Sequence, residues 1–179
     1  MDILSERPSD AAVIDSLLDL AFGPGRNVKT AYRLRDGVPP VHDLCFVAVE
    51  GRELKGSLRF WPISAAGRPS LLLGPLAVDP RNQGKGYGRA LMQHGIEQAR
   101  GSGHGSILLV GDAAYYAQFG FTRELTLGLT FPGPVDLDRF LAIELRLGAL
   151  SGARGVVTRA VHSGQATAVQ DGQKRVAAG

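Results

Sequence analysis

Apolar and polar residues recur along this chain at two periods, and the period changes several times. Ile3 and Leu4 form the apolar pair of a short first strand. Ile14, Leu17, Leu18 and Ala21 then recur at helical spacing, with Ser9 placed to cap that helix and Gly23-Pro24-Gly25 to end it. A second short helix is expected over 28–35. From 43 to 50 the period drops to two. Leu44, Phe46 and Ala48 fall on one face of a strand, and Cys45, Val47 and Val49 on the other. Gly51-Arg52 turns the chain, and 53–62 reads as the returning strand of a hairpin. A longer apolar strand carries Leu71, Leu72 and Leu73, then Leu76, Ala77 and Val78. Gly74-Pro75 interrupts it, which predicts a bulge or a splay.

Past Asp79-Pro80 the pattern gives a glycine-rich loop over 83–88 and a helix over 87–100, with Leu91, Met92, Ile96 and Ala99 facing inward. A buried strand follows at 106–110. A short helix runs from Asp112 to Gln118, and Gly120 ends it. Further strands are expected near 121–125, 139–147 and 155–161. The stretch 162–179 is polar, small and aperiodic, and reads as a loose tail. Residues 1–161 then make a single mixed α/β domain.

Composition narrows the function. A chain of 179 residues suits one domain. The net charge of +3 comes without a long Lys/Arg block, so nucleic acid is not an expected partner. Cys45 is the only cysteine and reads as a small buried residue, and four scattered histidines predict no metal site. No apolar run approaches the ~20 residues that cross a bilayer, and the first residues lack the basic-then-apolar pattern of a signal peptide. A cytoplasmic location and no membrane partner are the expectation.

The chemistry gathers in Val78-Asp79-Pro80-Arg81-Asn82-Gln83-Gly84-Lys85-Gly86-Tyr87-Gly88-Arg89. A strand runs into glycines and then a helix start, where unpaired backbone N–H groups and a partial positive charge suit a pyrophosphate. Arg81, Lys85 and Arg89 add charge. Lys85 is followed by glycine, not Ser or Thr, so this is not a P-loop. Position 89 is arginine, so the dinucleotide fingerprint fails as well. The remaining pattern, Gln83 with Gly86 and Gly88 at Gln-x-x-Gly-x-Gly, resembles the coenzyme A loop of the GNAT acetyltransferase superfamily. Downstream, Tyr116, Gly120 and Phe121 fit that superfamily's second segment, Tyr-x-x-x-Gly-Phe. The wording around 111–121 and 140–150 is similar to its YhbS-like branch.

That resemblance implies a mostly antiparallel, twisted sheet flanked by helices, with a splayed central strand pair. It implies acetyl-CoA as cosubstrate and a primary amine as acceptor, attacked directly; it is also compatible with a homodimer. Leu76, Ala77 and Val78 would border the pantetheine arm. Gln83, Gly84, Lys85, Gly86, Tyr87, Gly88 and Arg89 would hold the pyrophosphate. A backbone N–H of Ala77 or Val78 is the candidate donor to the thioester oxygen, and Tyr116 the candidate acid for the departing thiolate. For a base the sequence offers Glu144, with His42, Asp43, Glu50 and Glu53 behind it, or water alone. The bland readings are a packed Tyr116, a salt-bridged Glu144 and Asp112 as a helix cap. Two further functions fit the residues less well: a coenzyme A-binding regulatory module without transfer activity, and a nucleotide-binding domain, for which the strand at 106–110 lacks a ribose-binding acid.

Overall fold

The computed structural model describes residues 1–26 and 30–160. The chain folds as a twisted sheet with helices on both faces. β1 (Asp2–Ser5), β2 (Cys45–Glu50), β3 (Glu53–Ala65), β4 (Arg68–Val78), β5 (Ser106–Val110) and β7 (Phe140–Glu144) lie side by side in that order. Neighbours along this path are antiparallel except β4 and β5. β8 (Gly155–Arg159) continues the sheet beside the end of β3 and pairs with β6 (Leu129–Thr130).

Strand alternation sorts the core into faces. Phe46, Phe60, Leu71, Leu73, Ile107 and Leu109 point to one side, where α2 (Tyr87–Gly101) covers them with Leu91, Met92, Ile96 and Ala99. Gly95 lets that helix sit close, since a Cβ there would lie 2.8 Å from the Phe60 ring. On the opposite face α1 (Ala11–Phe22) packs Ile14, Leu17 and Leu18 against Val47 and Ala77. Leu72 and Leu108 on that face meet Phe131, Phe140 and Leu150.

Several expectations change. Ser9 does not cap α1. A 3-10 turn, Pro8–Asp10, precedes the helix, and the Asp10 carboxylate accepts the Arg7 N–H at 2.9 Å and its guanidinium at 2.9 Å. No strand forms over 121–125. Thr122 makes a single bridge to Ala142, and a 3-10 turn, Glu124–Thr126, then folds the chain back because the buried Thr126 hydroxyl donates to the Phe140 carbonyl at 2.7 Å. The hairpin's return strand reaches Ala65, past Pro62, which pairs with Leu71. β6 carries no sequence signal, being two residues long. The second short helix is a 3-10 segment, Thr30–Leu34; the start expected for it, at 28, and the tail at 162–179 lie outside the described residues. Among the described residues no helix is long and apolar enough to cross a membrane.

Candidate active site

β4 and β5 are joined only at one end. Leu71 pairs with Ile107 and Leu72 with Leu108, and beside them the buried hydroxyls of Ser70 and Ser106 lie 2.7 Å apart. Beyond Leu73 the strands separate, for two local reasons. Pro75 has no N–H to offer a ladder. In addition, β4 spends three steps from Leu73 to Leu76 where β3 spends two from Phe60 to Leu58, which bulges β4. The carbonyl of Gly74 turns to accept from the Trp61 indole N–H at 2.7 Å.

Parity then decides which backbone groups face the gap. Asp79 donates its N–H to the Lys55 carbonyl at 2.9 Å, so Asp79 and Ala77 face β3, while Leu76 and Val78 face away from it. Across the gap, Gly111 donates to the Arg139 carbonyl at 2.9 Å, which turns Gly111 and Leu109 toward β7 and leaves Val110 facing β4. A cleft of about 820 Å³ opens here, walled by Leu73–Leu76 on one side and Leu109–Gly111 on the other.

The glycine loop forms the next boundary. Asp79 caps the 3-10 turn Pro80–Asn82 by accepting the Arg81 N–H at 2.9 Å, and the Arg81 guanidinium reaches it at 2.6 Å. Those bonds pull the Asp79 carboxyl down to about 2. Gly84 and Gly86 have φ of +78° and +90°, backbone that glycine adopts freely. The first bond into α2 runs from Ala90 N–H to the Gly86 carbonyl at 3.0 Å. The N–H groups of Gly84, Gly86, Tyr87, Gly88 and Arg89 therefore have no protein acceptor among the described residues. A Cβ on Gly84 or Gly86 would meet nothing within 4 Å, so the mouth of the loop is open.

Several side chains here have protein partners. Lys85 donates to Asn82 Oδ1 at 3.0 Å, and Arg81 is committed to Asp79. Tyr87 is buried and donates its hydroxyl to Glu50 at 2.8 Å. Arg89 is exposed, and Gln83 lines the cleft. The loop thus offers main-chain donors together with the charges of Lys85 and Arg89, neither of which has a carboxylate partner among the described residues.

α3 (Ala113–Ala117) starts at Asp112, whose carboxylate accepts the Tyr115 N–H at 2.7 Å. It carries Tyr116 into the cleft. The Tyr116 ring lies against Gly111 so closely that a Cβ there would be 2.1 Å from Cε2. It meets Tyr115 and Phe121 edge-on, with centroids 5.0 and 5.9 Å away. Burial, helped by Tyr115 and opposed by Arg139, pushes the Tyr116 phenol up to about 12.

Glu144 lies apart from the cleft. It pairs with Ser106, at the closed end of β5. Its carboxylate accepts the N–H of Gly148 at 2.9 Å and of Leu150 at 2.7 Å, which closes the turn after β7. Glu144→Gln puts an amide N–H2 against one of those donors. We expect it to cost about 1–3 kcal/mol of stability in chemical denaturation while leaving turnover per folded molecule unchanged. The other base candidates are also elsewhere. His42 and Asp43 are exposed beside β2, Glu50 holds Tyr87, and Glu53 pairs with Lys55.

Sequence reading missed Arg35, Tyr32 and Arg139, which also line the cleft. Tyr32 and Arg35 come from one segment and Arg139 from another far along the chain, with no shared motif, and only the fold brings the two segments together. Arg35 lies over the Tyr32 ring at 4.9 Å and the Trp61 ring at 5.8 Å, and burial lowers its guanidinium to about 10.

Comparison with known proteins gives this geometry a context. Residues 41–123, from the approach to β2 through α3, match the model of the acetyltransferase (GNAT) domain. An uncharacterized N-acetyltransferase of Escherichia coli K12, YhbS, is 31% identical over 159 residues, covering 88% of this chain and 95% of that one. A crystal structure of YhbS from Escherichia coli in complex with CoA superposes with a TM-score of 0.76 at 29% identity, covering 89% of each chain. A GNAT family acetyltransferase from Brucella melitensis in complex with acetyl-CoA gives 0.60 at 30% identity, over 80% of this chain and 86% of that one.

Proposed function

The chain belongs to the GNAT acetyltransferases, and from that premise we propose that it moves an acetyl group from acetyl-CoA to a primary amine by direct attack in a ternary complex. The observation that carries this reading is the gap between β4 and β5, which leads from unpaired strand backbone to the unpaired amides at the start of α2. Both ends suit coenzyme A. The open mouth over Gly84 and Gly86 leaves room for a pyrophosphate against the N–H groups of residues 84–89. The backbone of Leu76, Val78 and Val110 faces the gap, where a pantetheine arm carries amides to pair with it. When bound, acetyl-CoA supplies the acetyl thioester that an amine can attack.

The chain's own groups then divide the work. Of the two amides that face the gap, Leu76 lines the cleft with Tyr116 and Val78 does not, so the Leu76 N–H is the better candidate donor to the thioester oxygen as it gains charge; the Ala77 N–H points to β3 and cannot serve. Tyr116 holds its proton firmly. A thiol titrates near about 8.5, so full transfer from a phenol at about 12 is uphill, and the Tyr116 hydroxyl acts by hydrogen-bonding the departing thiolate. Of the carboxylates lining the cleft, Asp112 caps α3, and Asp136 accepts the Asp138 N–H at 3.1 Å. Each is oriented by its own turn through Oδ1, so neither is held toward the gap, and we assign deprotonation of the amine to water.

The test is acetyl-CoA-dependent thiol release across a panel of primary amines, with calorimetric titration of coenzyme A alongside. Amine-dependent release supports the transferase. Tight coenzyme binding with no release by any amine would move the reading to a coenzyme A-binding regulatory module.

A further inference from the structure

The arginines near the cleft differ in how they are neutralised. Arg26 is held by Asp19 at 2.8 Å and Asp15 at 3.4 Å, and Arg59 donates to Glu6 at 2.7 Å. Arg35 and Arg139 have no carboxylate partner among the described residues; Arg139 is exposed to solvent, whereas Arg35 is largely enclosed. The Arg35 Nε is buried without a hydrogen-bond partner, the sole such side-chain atom among the described residues. Rings of Tyr32 and Trp61 flank the guanidinium. Ring faces attract a cation, but they do not replace in-plane acceptors for its N–H groups. A desolvated guanidinium without an anion is costly to keep unless a ligand completes it.

The position of this guanidinium gives it a use. Arg35 Nη2 would lie 3.1 Å from a Cβ on Gly74, so the guanidinium sits against the bulge where β4 leaves β5. It lines the main cleft and also a second cavity of about 510 Å³ that shares Arg26, Tyr32 and Pro75. That second cavity enters from the side of α1 and the Thr30–Leu34 segment, away from the glycine loop.

We propose that Arg35 binds the carboxylate of the acceptor, so that the acetylated amine belongs to a small amino acid-like molecule. This rests on the transferase reading above. Nε is itself sealed from the cavity, so the two terminal nitrogens of the guanidinium, held by two aromatic rings, take the carboxylate through two parallel hydrogen bonds and orient the amine at the other end of the molecule toward the gap. No new chemical step is involved: Arg35 positions, and the acetyl transfer is unchanged.

The experiment uses matched pairs: α-amino acids and ω-amino acids of increasing chain length, each beside its carboxamide, and uncharged alkylamines and polyamines as a third set. Thiol release is measured for wild type, Arg35→Gln and Arg35→Lys, with coenzyme A affinity by calorimetry as the check on folding. The expected result is a preference of about 10- to 100-fold in kcat/KM for the acid over its amide, the worth of one charge-assisted pair. Arg35→Gln removes that preference mainly through KM, Arg35→Lys keeps part of it, and coenzyme affinity stays as in wild type. Amides used as well as acids, or turnover confined to the third set, overturns the assignment and leaves the transferase standing. An acid preference that survives Arg35→Gln also overturns it. No release with any amine removes the transferase reading, and this one with it.

Discussion

Gly86→Val is expected to weaken coenzyme A binding by about 100-fold or more in calorimetric titration, with the protein still folded. Two effects act in the same direction. Gly86 has a φ of +90° and directly precedes the first residue of α2. A β-branched residue there is strained by about 1–3 kcal/mol, and relief of the strain rotates the amides on either side of it. The added side chain also points into space that holds no protein atom within 4 Å, and on the proposed reading its bulk crowds a phosphate held by the neighbouring amides. Loss of the charge-assisted hydrogen bonds from these amides costs about 1.5–3 kcal/mol each. Gly86→Ala separates the two effects: it keeps part of the strain and little of the bulk, and should fall between wild type and valine. Lys85→Ala should change affinity far less, because Lys85 is exposed and its charge is screened by solvent. Wild-type affinity in Gly86→Val would remove the loop from the binding site.

Tyr116→Phe is expected to lower kcat by about 100-fold or more, a typical worth for one hydrogen-bond donor aimed at developing negative charge, with coenzyme affinity nearly unchanged. The ring keeps its edge contacts with Tyr115 and Phe121 when the hydroxyl is lost, so the fold should not change. Gly111→Ala should reproduce much of the loss without touching the hydroxyl. The new Cβ would lie 2.1 Å from the ring and must push it aside. The pH profile distinguishes the roles. An alkylamine acceptor loses its proton near about 10, so turnover should rise from neutral pH toward that value. The folded-state phenol lies at about 12, above its ordinary value, so it remains a donor throughout that rise and contributes no alkaline fall below it. A wild-type decline centred near 9 that vanishes in Tyr116→Phe would mean instead that Tyr116 ionises during turnover. Equal kcat in wild type and Tyr116→Phe would remove it from the reaction.

What was legible in the sequence was legible because it is local. The alternation of Cys45 through Glu50, the helical spacing of Leu91, Met92, Ile96 and Ala99, and the break at Gly74-Pro75 each follow from neighbours in the chain, and the structure has them where periodicity put them. The glycine loop was legible for the same reason: a helix start and two glycines of positive φ need no distant partner to expose their amides. Asp112 capping α3 is another case.

The errors and omissions share a different cause. Glu144 has the charge a base needs, but pairing with Ser106 carries it to the closed end of β5, where two turn amides take both its oxygens. The strand expected at 121–125 has enough apolar residues, yet Thr126 bonds to the carbonyl of Phe140, fourteen residues on, and bends the chain instead. Which strand amides face the gap depends on a register shift between β3 and β4. Sequence by itself determined the periodic elements and the backbone form of the glycine loop, since those depend on conformation within a few residues. Tertiary structure alone decided which charges stand in the cleft and which are spent elsewhere, because a charge's partner is set by proximity in space: Arg59 meets Glu6 across fifty-three positions, and Arg35 meets no carboxylate among the described residues.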